Sequence, residues 1–386
     1  MVQVHNHSQA RIKQISRIFS FFALIACLPH MMLSLWLVPS VTKYVNVLPL
    51  VTKPLYDYFF CLFVPGTYEK DFDQFHKHAF VLAFIGPVSW IASLYYLSGL
   101  QMYIVSLIVM AFIRPALPFT HLEGHWSMED GKKYFLLPPR FMQYMYSFTR
   151  PASRHTAHVW IHHPENLSVW DLDETGTYKR DDTLDVIRFI CDGPFSSMIY
   201  PFFYFAKRCE YSKLGQFTTD TILTACIILM AFKFGTLAGL IQLVSIIEYE
   251  LYHRVLVITL EHPFYHKLDG TYDHPYNSVA RIENPNTMNS HVHHHAGGHH
   301  TKHINVDPEE MVQQQINTGF LMMHRLNIFT ILWMLCSKRY DVIVDDMLYW
   351  YDVTDMDLDD NTKQRYMEFK NSVDEVEIMK RLQPIT

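Results

Sequence analysis

Four stretches of the chain are long, apolar and almost free of charge: about Ile18–Val38, Phe80–Phe119, Phe217–Ile247 and Thr318–Cys336. A helix needs ~20 predominantly apolar residues to cross the ~30 Å hydrocarbon core of a bilayer. Phe80–Phe119 has about twice that length, with the turn signal Ser98-Gly99 near its middle, so it reads as a helical hairpin. The third stretch, followed on to His262, is longer still. Lys233-Phe234-Gly235 breaks it, and it reads as a second hairpin. Helices of soluble proteins average ~11–12 residues, which disfavours buried helices of a soluble enzyme as the account. Ile18–Val38 begins like a secretory signal, with Arg11, Lys13 and Arg17 ahead of Ile18–Leu28. Its apolar character resumes at Met31 and runs to Val38, so a retained anchor is expected.

Composition agrees with this pattern: 49% of residues are apolar and 18% charged. A net charge of −6 argues against nucleic acid as a partner. Basic residues gather after Phe119, at Lys132, Lys133, Arg140, Arg150, Arg154, Lys179, Arg180 and Arg188. By the positive-inside tendency that polar segment faces the cytoplasm. The six cysteines, at 27, 61, 191, 209, 226 and 336, show neither disulfide nor zinc-ribbon spacing. From about Asp341 the chain is acidic and aromatic, with "DMDLDD" at 355–360, and reads as a soluble tail.

The candidate chemistry lies in the 23 histidines. "HLEGH" sets His121 and His125 four apart, and "HTAHVWIHH" supplies His155, His158, His162 and His163. "EYELYHRVLVITLEHPFYH" supplies His253, His262 and His266, and "HVHHHAGGHHTKH" spans His291–His303. Positions four apart on a helix share a face, which suits His121/His125 and His158/His162. Asp307-Pro308-Glu309-Glu310 is a helix start, with Asp as cap and Pro in the first turn, so the last tract sits on the approach to a helix. If each hairpin returns to its starting side, all four groups face the same side of the membrane. Imidazole suits iron, copper, zinc and nickel. Nine imidazoles suit two ions of four or five ligands each.

The order H-x3-H, H-x3-H-H, a lone His, then H-x3-H-H resembles the membrane fatty-acid desaturase and alkane hydroxylase superfamily, over roughly residues 80–310. "HLEGH" is similar to its first box and "HVWIHH" to its second. "PENLSVWDLDETGTYKRDD" is similar to the polar stretch that follows that box in a subgroup of desaturase-like proteins. "LEH" at 260–262 is similar to its isolated Glu-His, and "HAGGHH" to its last box, with one residue more than usual before the final pair. Ile258 stands where many members carry an Asn.

The resemblance implies two iron ions, with dioxygen as co-substrate, held by His121, His125, His158, His162, His163, His262, His295, His299 and His300. Glu123, Glu165, Asp171 and Glu261 are candidates for orienting the rings. The fold implied is an all-α integral membrane protein, with at least four transmembrane helices in two hairpins capped by a cytoplasmic domain that carries the histidine boxes. The expected divisions are an anchor region at 1–79, the histidine-box domain at 80–310, and a C-terminal helix with an acidic tail at 311–386.

The activity implied is desaturation of the alkyl chain of a fatty acyl or lipid-like substrate. Hydroxylation of such a chain is the alternative. Expected partners are the lipid substrate, the membrane and a separate electron donor resembling cytochrome b5 or a ferredoxin, since no His-Pro-Gly-Gly haem signature accompanies the boxes. The expected location is the endoplasmic reticulum membrane, site toward the cytoplasm. A more distant alternative is a metal transporter with a His-rich loop. A transporter places ionisable ligands within its spans. Here Lys233 falls at the turn and Gln242 is uncharged, so the spans read as nearly free of such groups.

Overall fold

The computed structural model of the chain describes residues 17–18, 20–25, 27, 54–55, 57–58, 74–102, 104–105, 144–145, 147–148, 151–165, 170–173, 178–179, 181–256, 280–282, 308–318, 321–323, 328–348 and 350–382, residue 103 excepted throughout. These residues are mostly helical. Two three-residue strands, β1 (Ala280–Ile282) and β2 (Leu321–Met323), pair in parallel with Ala280 opposite Leu321. The chain divides into two compact units: Met1–Leu172 with Cys191–Tyr252, and Asp173–Ile190 with His253–Thr386.

In the first unit, α1 (Gln74–Tyr96) is followed by a break at Leu97-Ser98, and the helix resumes at Gly99 with φ +54°. α2 (Ala152–Ala157) is short; α3 (Thr183–Lys207) begins in the second unit and continues into the first. α4 (Tyr211–Phe234) stops at Gly235, whose φ of +153° would strain any residue with a Cβ. α5 (Thr236–Leu256) follows at once. Both breaks expected from the sequence are therefore present. The Tyr95 and Phe234 rings, each beside its own turn, meet edge to face at 5.1 Å. The turn ends of the two helix pairs lie together.

α4 shows why these helices are apolar on more than one side. Phe217, Asp220, Thr224, Ile227 and Ala231 are buried, and their spacing of three and four puts them on one face. Ile222, Leu229 and Met230 are exposed. So are Val88 and Ile91 on α1, Leu237 and Leu240 on α5, and Phe21, Phe22 and Ile25 near the N-terminus. Among the described residues one helix, α4, is long and apolar enough to cross a membrane, with 24 residues and a mean hydropathy of 1.5. The four crossings expected from the sequence are not all present in these residues. The second half of α5 carries Glu248, Glu250, His253 and Arg254, which lowers its apolarity. Asp220, Glu248 and Glu250 are fully buried, so the two helices are not free of ionisable groups as their overall hydropathy implied.

The second unit holds α6 (Pro308–Thr318), α7 (Ile328–Cys336), α8 (Tyr340–Met347), α9 (Asp360–Ser372) and α10 (Glu375–Leu382). Pro308 opens α6, as its sequence signal indicated. The run Thr318–Cys336 is not one span: α7 has 9 residues, or about 13 Å. The acidic stretch expected as a tail is folded. Val312, Val353 and Tyr366 form a buried cluster with Trp350 and Tyr351 packed on it, and α6 packs on α9. Asp359, from "DMDLDD", caps α9 by accepting the Thr362 N–H at 2.9 Å.

Candidate metal centre

The second histidine group is carried by a helix whose hand of cards is polar and buried. All six residues of α2, Ala152-Ser153-Arg154-His155-Thr156-Ala157, are buried, and Pro151 precedes them in an extended conformation. At His158 the helix changes type. His158–His162 form a π turn, and the His163 N–H bonds back to the His158 carbonyl, five residues away.

That change matters for the rings. In an α-helix His163 would point roughly 140° away from His158. The wider π turn brings residue i+5 back over residue i, while i+4 stays close. His158 and His162 accordingly stack with centroids 4.9 Å apart, and His158 and His163 meet edge to face at 4.7 Å. The Nε2 atoms of His158 and His163 are 3.0 Å apart. Two nitrogens bound to one ion at ~2.1 Å and a right angle are spaced by about this much. His158 and His162 are buried and His163 half-buried.

Asp171 lies against these rings. Asp171 Oδ2 is 2.8 Å from His162 Nδ1, with both side chains buried. This contact leaves Nε2 as the ring nitrogen available to an ion, the arrangement usual for metal-bound histidine. His158 and His162 are buried members of a group that could hold a metal ion. Imidazole suits iron, zinc or nickel alike. Within the second unit, Asp173 is held by Arg254 Nη1 at 3.4 Å and lies 3.7 Å from His253 Nε2.

Glu165 and Trp170 are both tied to α3. Tyr200 donates a hydrogen bond to the Trp170 carbonyl (3.0 Å). Tyr204 donates to Glu165 Oε1 (2.6 Å), and Arg208 donates to the same oxygen (2.7 Å) while lying over the Tyr204 ring. Burial holds the phenols of Tyr200 and Tyr204 above tyrosine's usual range. For Tyr204 the hydrogen bond to Glu165 adds to this; for Tyr200 the negative charge of Glu165 does. Both remain neutral donors.

Of the nine expected ligands, His158, His162 and His163 are brought together. His121, His125, His262, His295, His299 and His300 lie outside the described residues, as do Glu123 and Glu261. Asp171 contacts a histidine ring, as its place after the box suggested. Glu165 is instead engaged by Tyr204 and Arg208. His155, in the same histidine group but not among the nine expected ligands, is buried with its ring 6.4 Å from that of His158. No protein-family model, no curated protein and no solved structure matches this chain.

Proposed function

We propose that the protein is a membrane oxidoreductase with a di-iron centre that uses dioxygen to desaturate the alkyl chain of a fatty acyl or lipid-like substrate. The observation that carries this reading is the convergence of His158, His162 and His163 on one π turn, with Nε2 atoms of two of them 3.0 Å apart and Asp171 behind the third. The order of the four histidine groups along the chain supports it further.

In this reading His158, His162 and His163 would hold iron together with histidines from the other groups. Iron with dioxygen supplies the strong oxidant that an unactivated C–H bond requires. Asp171 fixes the His162 ring so that Nε2 faces the ion. Burial of His158 and His162 keeps bulk water from their rings. The apolar exposed faces of α1, α4 and α5 contact lipid, from which a chain-shaped substrate enters. Desaturation removes two hydrogens from adjacent carbons. With two electrons from a separate donor and two protons, one dioxygen becomes two waters. The site faces the cytoplasm from the endoplasmic reticulum membrane.

Asp220, buried within α4, is the observation that favours a metal transporter, because ionisable groups inside spans commonly line ion paths. Its carboxylate oxygens are engaged by Thr156 and Gln216, and this favours a structural role.

The test combines metal analysis with lipid profiling. Protein expressed with iron available contains about two irons per chain. Cells with the protein accumulate a lipid that has lost two hydrogens relative to that of cells without it. Gain of one oxygen instead assigns hydroxylation. Stoichiometric zinc without iron, and unchanged lipids, overturn the reading.

A further inference from the structure

We infer that Asp220 and Thr156 form a positioning pair that sets the direction in which the histidine-bearing helix presents its imidazoles. The inference rests on the metal reading of the histidine cluster and adds residues that touch no ion. It starts from a costly feature. Asp220 is fully buried on α4, the helix long and apolar enough to cross a membrane. A carboxylate in such surroundings must be hydrogen-bonded to be tolerated.

The bonds it makes are directed at α2. Thr156 Oγ1 donates to Asp220 Oδ2, and Gln216 Nε2 donates to Oδ1 at 2.7 Å and lies 3.2 Å from Tyr144 Oη. One turn further along α4, Thr224 Oγ1 accepts the N–H of Ala152 at 3.0 Å and donates to the Asp220 carbonyl at 3.1 Å. Residues 152 and 156 are one turn apart on α2, and 224 and 220 one turn apart on α4. Two contacts separated by a turn on each helix fix both rotation and translation of α2, with the helices antiparallel.

Rotation is the quantity that the site depends on. His158 lies two residues after Thr156, about 200° around the helix. Anchoring Thr156 to α4 therefore turns His158 away from α4. Arg154 is four residues before His158 and shares its face. It points toward α5, with Nη1 3.9 Å from Glu250 Oε2, and Glu250 is itself held by Ser197 Oγ at 2.8 Å. Phe217, one turn before Asp220, packs with Ala157 and Ile161 in the same buried cluster and adds an apolar contact to the two polar ones. The π turn begins at His158, so the angle set at Thr156 passes directly into the positions of His158, His162 and His163.

The experiment uses the full chain in detergent, stripped of metal and titrated with Co2+, whose visible absorption reports both binding and ligand geometry. Wild type binds Co2+ with a visible spectrum set by its ligand geometry. Thr156→Val and Asp220→Asn each weaken binding roughly tenfold or more, the loss typical when the groups behind a metal ligand are disturbed. Both also alter that spectrum while elution and helical circular dichroism stay as in wild type. Thr156→Ser keeps the hydroxyl and restores affinity and spectrum. The double variant Thr156→Val/Asp220→Asn is no weaker than either single one, because the two residues act as a unit.

Wild-type Co2+ affinity and spectrum in Thr156→Val overturn the inference, as do losses that simply add in the double variant. Should Asp220→Asn not fold, comparison of Thr156→Val with Thr156→Ser carries the same test. His162→Ala separates the two levels of argument. If it binds Co2+ as wild type does, the metal reading itself is wrong. If it loses binding while Thr156→Val does not, only the positioning pair is wrong.

Discussion

His162 Nδ1 and Asp171 Oδ2 lie 2.8 Å apart, nine residues apart in sequence and both out of water. The contact defines which ring nitrogen is turned toward the cluster. Asp171→Ala is therefore expected to lower metal affinity by about 10–100-fold. Asp171→Asn retains an oxygen acceptor and loses less. Metal content per chain, measured in parallel with His162→Ala, checks this; equal loading of Asp171→Ala and wild type would contradict it.

The hairpin geometry predicts sidedness. Ser197 bonds Glu250 near the histidine end of α5, and Asp192, on the same stretch of α3, binds Arg17 through two hydrogen bonds of 2.7 and 3.0 Å. Cys27 Sγ lies 3.9 Å from the Val244 carbonyl, midway along α5. The described helical residues between 17 and 27 thus run from the histidine end toward the turn end. In sealed vesicles an N-terminal tag and the exposed Cys209 are expected to react with impermeant reagents from one side. Ser98→Cys, at the turn end, is expected to react from the other. Labelling of all three from one side would remove the crossing.

Alkaline stability follows from the tyrosines on α3. Burial raises both phenols above their unfolded value of ~10. The folded state then holds protons that the unfolded state has released. This contribution is fully present below pH ~10 and is lost as pH climbs through the folded values. Melting temperature is expected to fall steeply above pH ~10. The double variant Tyr200→Phe/Tyr204→Phe should show a shallower fall, at the expense of lower stability near neutrality. An unchanged slope would show that these phenols titrate normally.

Asp359 gives the opposite dependence in the second unit. Its hydrogen bonds from the Thr362 hydroxyl and N–H hold its carboxyl below the usual range. That contribution is present above the unfolded pKa of ~4 and is lost as pH falls through the lower folded value. Asp359→Ala is expected to fray α9 and lower the melting transition at neutral pH, with the difference from wild type disappearing in acid. Asp359→Ser, which also caps, should recover most of it. A pH-independent difference would point to packing and not to the cap.

Local signals in the sequence sufficed wherever the physics is local. Gly99 and Gly235 mark turns because their φ values exclude most other residues, and Pro308 marks a helix start because it lacks the N–H that the first turn cannot use. The two turns ending α3 and α7 went unread because Cys209 and Lys338 take the left-handed conformation without glycine. The spacing His158/His162 placed two rings on one face, but recruitment of His163 needed a π turn, which no propensity announces. Asp171 could be suspected from its position. Its partner could not, since which of Asp171 and Glu165 reaches a ring depends on how Tyr200 and Tyr204 of α3 hold Trp170 and Glu165. The sequence by itself determined long apolar helices, their breaks, and a histidine order fit for metal. Tertiary structure decided which carboxylates stand behind which rings, because a buried charge is tolerated only where distant parts of the chain supply its hydrogen bonds, as Thr156 and Gln216 do for Asp220.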